Sequence, residues 1–186
     1  MKNWSSQIDQ ITQYFTEAFS NLNAEQLNWK ANPETWSIAQ NIDHLIIINK
    51  SYFPIIDAIR NGTYSVSFLA RFGFLVSFFE KSVLQAVQPD RKKKMKTFPI
   101  WQPTESEVSI DIMERFIDHQ EQLKVLIEKS QDLVKSGTII SSPANKNIVY
   151  KLETAFDIIV AHEHRHFEQA REVYALLQNG NESLKH

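Results

Sequence analysis

The chain has 186 residues, and its 42% hydrophobic content is enough for a sizeable core in one domain spanning residues 1–186. Its 20 basic and 22 acidic residues give a net charge of -2, so there is no general attraction to nucleic acid or to an anionic membrane. The sequence has no cysteine, which excludes disulfides, thiolate metal ligands and a cysteine nucleophile. We therefore expect a small-molecule substrate, or another subunit, as the partner.

The first ten residues are polar where a signal peptide would be apolar, which predicts a cytoplasmic protein. The most apolar stretch, residues 64–87, is interrupted by Arg71, Glu80 and Lys81. Charges at those positions are costly at membrane depth, so we interpret the stretch as buried helix and expect no membrane partner. Contact with a membrane surface is the lesser alternative.

Apolar residues recur at every third or fourth position, and the chain has only four glycines, so helices are predicted rather than strands. A first helix is predicted over residues 5–21. A loop over 28–36 leads to Ser37, which can cap a second helix from residue 38 to about residue 61. The Asn61-Gly62 pair is a plausible stop for that helix.

Residues 62–103 are predicted to form one long crossover that contains some helix. Its later part has three prolines and the basic run Arg91 to Lys94, typical of an exposed, solvated connection. The alternative use of that run is to attract an acidic cofactor.

Beyond the crossover, the spacing of Thr104 and Glu107 fits a capping box that opens a third helix reaching Gly137. Residues 138–147 are predicted as a loop, and a last helix runs over 151–178 before Gly180. Four long helices with one long crossover between the second and third predict an all-α four-helix bundle.

The most informative segment is AHEHRHFEQ at residues 161–169. His162 and His166 are four positions apart, so they project from one helix face and can chelate one ion. His164 lies about 200° round the helix from His162 and cannot join them. His44, in the second helix, is the other histidine in a helix interior with apolar neighbours. Three imidazoles from two helices would leave an open coordination position, although ordinary core or surface histidines remain an alternative.

Such a site suits zinc or nickel first, and iron or manganese next. Three polar residues are expected to support it: Gln169, one turn beyond His166, and Asp43 and Glu163, each beside a ligand. For each of the three, an ordinary polar residue of a helix surface is the favoured alternative. No residue is assigned a catalytic role.

The same segment fits His-Glu-x-x-His, in which Glu163 would be the general base of a zinc metalloprotease. Such proteases need a third ligand downstream and a strand that aligns a peptide. Only 20 residues follow His166, and no convincing strand precedes the segment. The sequence therefore disfavours a protease.

WSIAQNIDHL at residues 36–45, together with HEHRHFEQ at 162–169, resembles the DinB-like superfamily. Within it, the YfiT-like, bacillithiol-transferase-type proteins are the most similar branch. The family pattern is a Trp-Ser helix start leading to a first His-Leu, then His-x-x-x-His-x-x-Gln on the last helix. This chain departs from it at Glu168, where many members have Gly.

The resemblance covers nearly the whole chain and implies a four-helix bundle with a long crossover between helices two and three. It implies a metal held by His44, His162 and His166. It also implies that this metal activates a low-molecular-weight thiol, which is transferred to an electrophile or drives an isomerisation.

Two other functions stay open. The metal could instead activate water in a hydrolase, or the bundle could be a non-enzymatic binding or stress-response module. A structural zinc site normally has four protein ligands, and no obvious fourth ligand is visible.

The apolar part of the crossover predicts either a homodimer or a crossover helix that folds onto its own bundle. The residues in question are Phe68, Leu69, Phe72, Phe74, Leu75, Phe78 and Phe79. Three tryptophans in predicted loops either rim a pocket or cover the edge of the core: Trp29, Trp36 and Trp101.

Overall fold

The computed structural model describes residues 2–88, 97–103 and 107–183. Most of these residues are helical, which confirms the predicted all-α class, and a two-stranded sheet is added. The helices are α1 (Trp4–Phe19), α2 (Ala24–Asn28), α3 (Ile38–Lys50), α4 (Phe53–Arg60), α5 (Gly73–Val87), α6 (Ile112–Lys129), α7 (Gln131–Lys135) and α8 (Leu152–Ser183). The strands are β1 (Ile139–Ser142) and β2 (Asn145–Lys151), and short 3-10 turns occupy Phe68–Arg71 and Pro99–Trp101.

Helices α1, α3, α6 and α8 form the bundle. Both α1 and α3 pack against α6 and α8, so α1 and α3 lie at opposite corners. The ring centroid of Phe15 on α1 lies 4.9 Å from that of Phe116 on α6 and 5.2 Å from that of Phe167 on α8. Burial of each such aromatic side chain contributes about 1.5–3 kcal/mol. The predicted first helix is therefore confirmed, and its apolar stripe lies in the core.

The second predicted helix is divided into α3 and α4. The Ser37 side chain accepts a hydrogen bond from the Gln40 backbone, and the Gln40 side chain accepts one from the Ser37 backbone, so the predicted cap is confirmed. The division arises at Pro54, which has no N–H to continue the helical hydrogen bonds. Its ring would also clash with the carbonyl group of the residue four positions earlier in a continuous helix. Gly62 ends α4 with a φ of 67°, as its position predicts.

Helix α5 lies within the predicted crossover and packs against α8 and β2. It buries Val76 there, so the crossover folds onto its own bundle. Four phenylalanines on or before α5 stay exposed, and they are Phe68, Phe72, Phe74 and Phe78. The homodimer stays a prediction. The basic run Arg91 to Lys94 lies outside the described residues.

The third long helix begins at Ile112, so its predicted start at the Thr104–Glu107 capping box is wrong, although Thr104 itself lies outside the described residues. The Asn28 side chain donates to the Val108 carbonyl and accepts from the Val108 N–H, both at 2.8 Å. These two bonds hold the backbone of Val108 against α2 and keep it out of α6. Gly137, with a φ of 69°, ends α7 as predicted.

The loop predicted over 138–147 is wrong because β1 and β2 form an antiparallel hairpin there. Ile140 pairs with Tyr150 across the hairpin, and both side chains are buried. The expectation that no strand precedes the histidine segment is also wrong. However, His162 lies eleven residues beyond the end of β2, about 16 Å along α8, so the strand does not border the histidines.

Helix α8 continues past its predicted end to Ser183 because Gly180 does not adopt the left-handed conformation that ends α4 and α7. None of the described helices combines the length and apolarity needed to cross a membrane.

Candidate metal centre

Three histidine side chains meet where α3 packs against α8. His44 comes from α3, and His162 and His166 come from successive turns of α8. One ring nitrogen of each lies within 4.8 Å of those of the other two. The Nε2 atoms of His162 and His166 are 3.1 Å apart. The structure thus brings together all three of the predicted ligands.

The donor atoms fit a single metal ion. A tetrahedral ion bound at about 2.0–2.1 Å places two ligand nitrogens about 3.3 Å apart, close to the spacing of the α8 pair. His44 Nε2 is buried and has no hydrogen-bond partner within the described ranges. A buried acceptor left unsatisfied costs about 1–3 kcal/mol. A cation held between the three rings would satisfy it, and nitrogen donors suit zinc or nickel.

Hydrogen bonds on the far side of two rings fix which nitrogen faces the centre. His44 Nδ1–H donates to the backbone carbonyl of Trp101 at 2.5 Å, and His166 Nδ1–H donates to Asn41 Oδ1 at 2.7 Å. Asn41 is itself held by a bond from its Nδ2 to the Ser37 carbonyl at 2.9 Å. With the proton on Nδ1, each ring presents the Nε2 lone pair to the shared centre.

Trp36 covers two of the rings. Its ring centroid lies 4.9 Å from that of His44 and 5.9 Å from that of His166, which it stacks on at 23°. His44 is 1% exposed and His166 is 6% exposed, whereas His162 is partly exposed. Trp36 therefore closes the centre on one side, and His162 is the most exposed of the three histidines. Trp29, by contrast, packs against the hydrophobic core.

The sequence model of the DinB superfamily matches residues 7–170. The chain belongs to the DinB superfamily. The match includes all three histidines, and the superfamily is associated with metal binding. No curated protein and no solved structure matches the chain.

Burial keeps the three imidazoles of this DinB protein neutral. It lowers the pKa of His44 to about 4, against the opposing effect of the hydrogen bond to Trp101. It lowers the pKa of His162 and His166 well below the ordinary histidine value, and the neighbouring histidines lower both further. All three rings are neutral at pH 7, and a neutral imidazole is the form that binds a metal ion.

Glu163 lies in the core and joins three helices. Its Oε1 accepts a hydrogen bond from Asn49 of α3 at 2.7 Å, and its Oε2 accepts one from Gln120 of α6 at 3.0 Å. Burial raises its pKa to about 7, against the opposing effect of those two bonds. Within the described residues, no hydrogen bond joins Glu163 to the three histidines. The arrangement does not present this carboxylate as the general base of a protease.

The other two expected supporting residues make no hydrogen bond to the three rings among the described residues, although the charge of Asp43 raises the pKa of His44 against the effect of burial. Asp43 is buried and pairs with Arg115 of α6 at 3.2 Å. Gln169 is partly exposed, and in the described part of the chain no hydrogen bond links it to a histidine. Sequence reasoning missed the actual partners. Asn41 carried a signal, since it precedes His44 by one helical turn, whereas a backbone carbonyl such as that of Trp101 leaves none in the sequence.

Proposed function

We propose that this DinB-superfamily protein binds one divalent transition-metal ion, zinc or nickel, through the Nε2 atoms of His44, His162 and His166. We further propose that it transfers a low-molecular-weight thiol to a small electrophilic substrate. The observation that carries the proposal is the convergence of three neutral imidazoles within 4.8 Å, with the Nε2 of His44 unsatisfied among the described residues. The resemblance to bacillithiol-transferase-type proteins supports the thiol.

When bound, the divalent ion would supply a Lewis acid with an open coordination position, which lowers the pKa of a thiol held there. The chain has no cysteine, so the reacting sulfur must belong to a second substrate. In the transfer, the thiol gives its proton to solvent water and its sulfur forms a bond to the electrophilic carbon. The leaving group departs with the electron pair of its former bond to carbon.

The chain's own residues position and shield this centre. Trp101 and Asn41 hold the imidazoles of His44 and His166 with their lone pairs inward. Trp36 excludes water from one side, because its indole lies against both of those rings. Substrates would approach from the partly exposed side of His162.

The surroundings of Glu163 favour a thiol over water as the nucleophile. Free water is a far weaker acid than a thiol, whose pKa is about 8.5, and a metal ion brings the pKa of bound water only to about 7. Metal-bound water therefore gains more from a nearby base than a metal-bound thiol does. Two carboxylates stand next to ligands along the chain, Asp43 and Glu163. Both oxygens of Glu163 accept hydrogen bonds, from Asn49 and Gln120, and Asp43 is paired with Arg115. A thiol needs less help from a base, so the arrangement suits thiol transfer better than hydrolysis.

The first test is the metal content of untagged protein after repletion with zinc or nickel. Wild type is expected to hold about one equivalent, and His44→Ala and His162→Ala are expected to lose it. His164→Ala is the matched control, because His164 lies on the same helix outside the cluster. Equal metal content in all four proteins, or none in wild type, would overturn the metal site.

The second test measures thiol consumption by the loaded protein with haloaromatic and epoxide electrophiles. Consumption that depends on both metal and electrophile supports the transfer. Hydrolysis of an activated ester without thiol consumption would favour the hydrolase. A loaded protein inert in both assays would favour a binding module.

A further inference from the structure

We propose that Trp101 is a positioning residue for the metal centre and that Ser51 holds it in place. The inference rests on the proposed metal binding and concerns what sets the affinity of that site. Trp101 belongs to the crossover, 57 positions from His44 along the chain. The crossover would therefore control how well the first ligand binds.

Two contacts fix Trp101 on α3. Its backbone carbonyl accepts the Nδ1–H of His44 at 2.5 Å, and its indole Nε1–H donates to Ser51 Oγ at 3.2 Å. The Ser51 hydroxyl donates its own proton to the Ile48 carbonyl at 2.5 Å, which leaves an oxygen lone pair for the indole. His44 and Ser51 are seven positions apart, about two helical turns, so they lie on one face. Trp101 therefore binds this face of α3 at two points.

The other arm of the crossover is bound to the second ligand-bearing helix. Arg165 stands between His162 and His166 in α8, and its Nη1 donates to the carbonyls of Ala86 and Gln88 at 3.1 and 3.3 Å. The described parts of the crossover on either side of residues 89–96 are therefore each joined to a helix that carries a ligand.

The physical consequence concerns the His44 tautomer. A ligand nitrogen at Nε2 requires the proton on Nδ1, and the Trp101 carbonyl stabilises that tautomer and the ring orientation. Loss of such an outer partner typically weakens metal binding by about 10–100-fold. Because binding equilibria are reciprocal, the metal should stabilise the docked crossover by the same factor.

The test uses variants that leave all three histidines and the Trp101 carbonyl in the chain. Ser51→Ala and Trp101→Phe each remove the indole bond to Ser51, and exposed Ser77 on α5 gives the matched control Ser77→Ala. Zinc affinity is measured by competition with a chromophoric chelator. The variants keep the Trp101 carbonyl and only loosen its position. We therefore expect zinc affinity to fall about tenfold, the lower end of the range for loss of an outer partner. Ser77→Ala should match wild type.

A second readout is hydrogen exchange with and without zinc. The N–H groups of Trp101 and Gln102 donate to the carbonyls of Phe98 and Pro99, so their exchange reports the docked turn. Zinc should slow exchange there in wild type and less in Ser51→Ala. This readout is independent of any activity.

The outcomes separate the two proposals. If wild type binds no zinc, the proposed function fails. If every protein binds zinc equally and zinc does not change exchange at residues 98–102, the positioning role fails while the metal site stands. Ser51→Ala alone decides the matter if Trp101→Phe does not fold.

Discussion

His119 is a buried titratable group away from the three-histidine cluster, and its removal should change how stability depends on pH. It is 1% exposed, and neither of its ring nitrogens has a hydrogen-bond partner in the ranges that the structure describes. Burial, with a smaller contribution from the charge of Lys50, lowers its pKa to about 4. Its ring stacks at 5.9 Å on Phe53. The folded state therefore holds the neutral form in an apolar setting.

The sign follows from proton binding. Above pH 6.5 both the folded and the unfolded states keep His119 neutral, so it has no pH-dependent effect. As the pH falls from 6.5 toward 4, the unfolded state takes up the proton and the folded state does not, so stability is lost. From a folded pKa of about 4 and an unfolded pKa of about 6.5, the loss between pH 8 and pH 5 is about 2 kcal/mol.

The assay is urea denaturation of wild type and His119→Phe at pH 8, 6.5 and 5, with chelator present so that bound metal does not add stability. The free-energy difference between the two proteins should shift by about 2 kcal/mol in favour of the variant from pH 8 to pH 5. Effects of the larger ring on packing do not depend on pH and cancel in this comparison, as do other titrating groups. A difference that is the same at pH 8 and pH 5 would refute the reasoning.

Four further predictions concern single contacts. Asn41→Leu removes the acceptor for His166 Nδ1–H and should weaken zinc binding about 10–100-fold in chelator competition, with exposed Asn147→Leu unchanged. Ser37→Ala removes the α3 cap and should cost about 1 kcal/mol in urea denaturation, and no loss would contradict the capping role. Phe15→Ala opens a cavity among buried rings and should cost about 3–5 kcal/mol in the same assay. Glu163→Gln should retain zinc binding and thiol transfer. If the Gln120 carboxamide turns over, its Oε1, which has no partner among the described residues, can accept a hydrogen bond from the new amide. Loss of transfer with zinc retained would give Glu163 a catalytic role.

Local signals in the sequence predicted much of the fold. The apolar period gave the long helices, Ser37 gave the start of α3, and Gly62 and Gly137 gave the ends of α4 and α7. Pro54 also indicates a break, since an internal proline ends or kinks a helix. The apolar stripe continues across it, however, and favoured one unbroken helix.

The hairpin was missed for a different reason. Its strands have four and seven residues, with polar positions among them, and strand preference depends on the surface that the strand packs against. Here that surface is α5. No local sequence pattern predicts that α5 packs beside β2.

The site shows the same division between local and tertiary information. The pairing of His162 and His166 follows from helical spacing, whereas the arrival of His44 depends on how α3 packs against α8. Glu163 was one of the expected supports because it stands beside a ligand in the sequence, yet its side chain turns into the core toward Asn49 and Gln120.

The most direct test of the metal centre is a crystal structure of the protein with zinc, with data collected at the zinc absorption edge. We expect one anomalous peak about 2.0–2.1 Å from the Nε2 atoms of His44, His162 and His166, with Nδ1–H of His44 still donating to the Trp101 carbonyl. A zinc peak bound elsewhere, or none between the three rings at saturating zinc, would contradict this expectation.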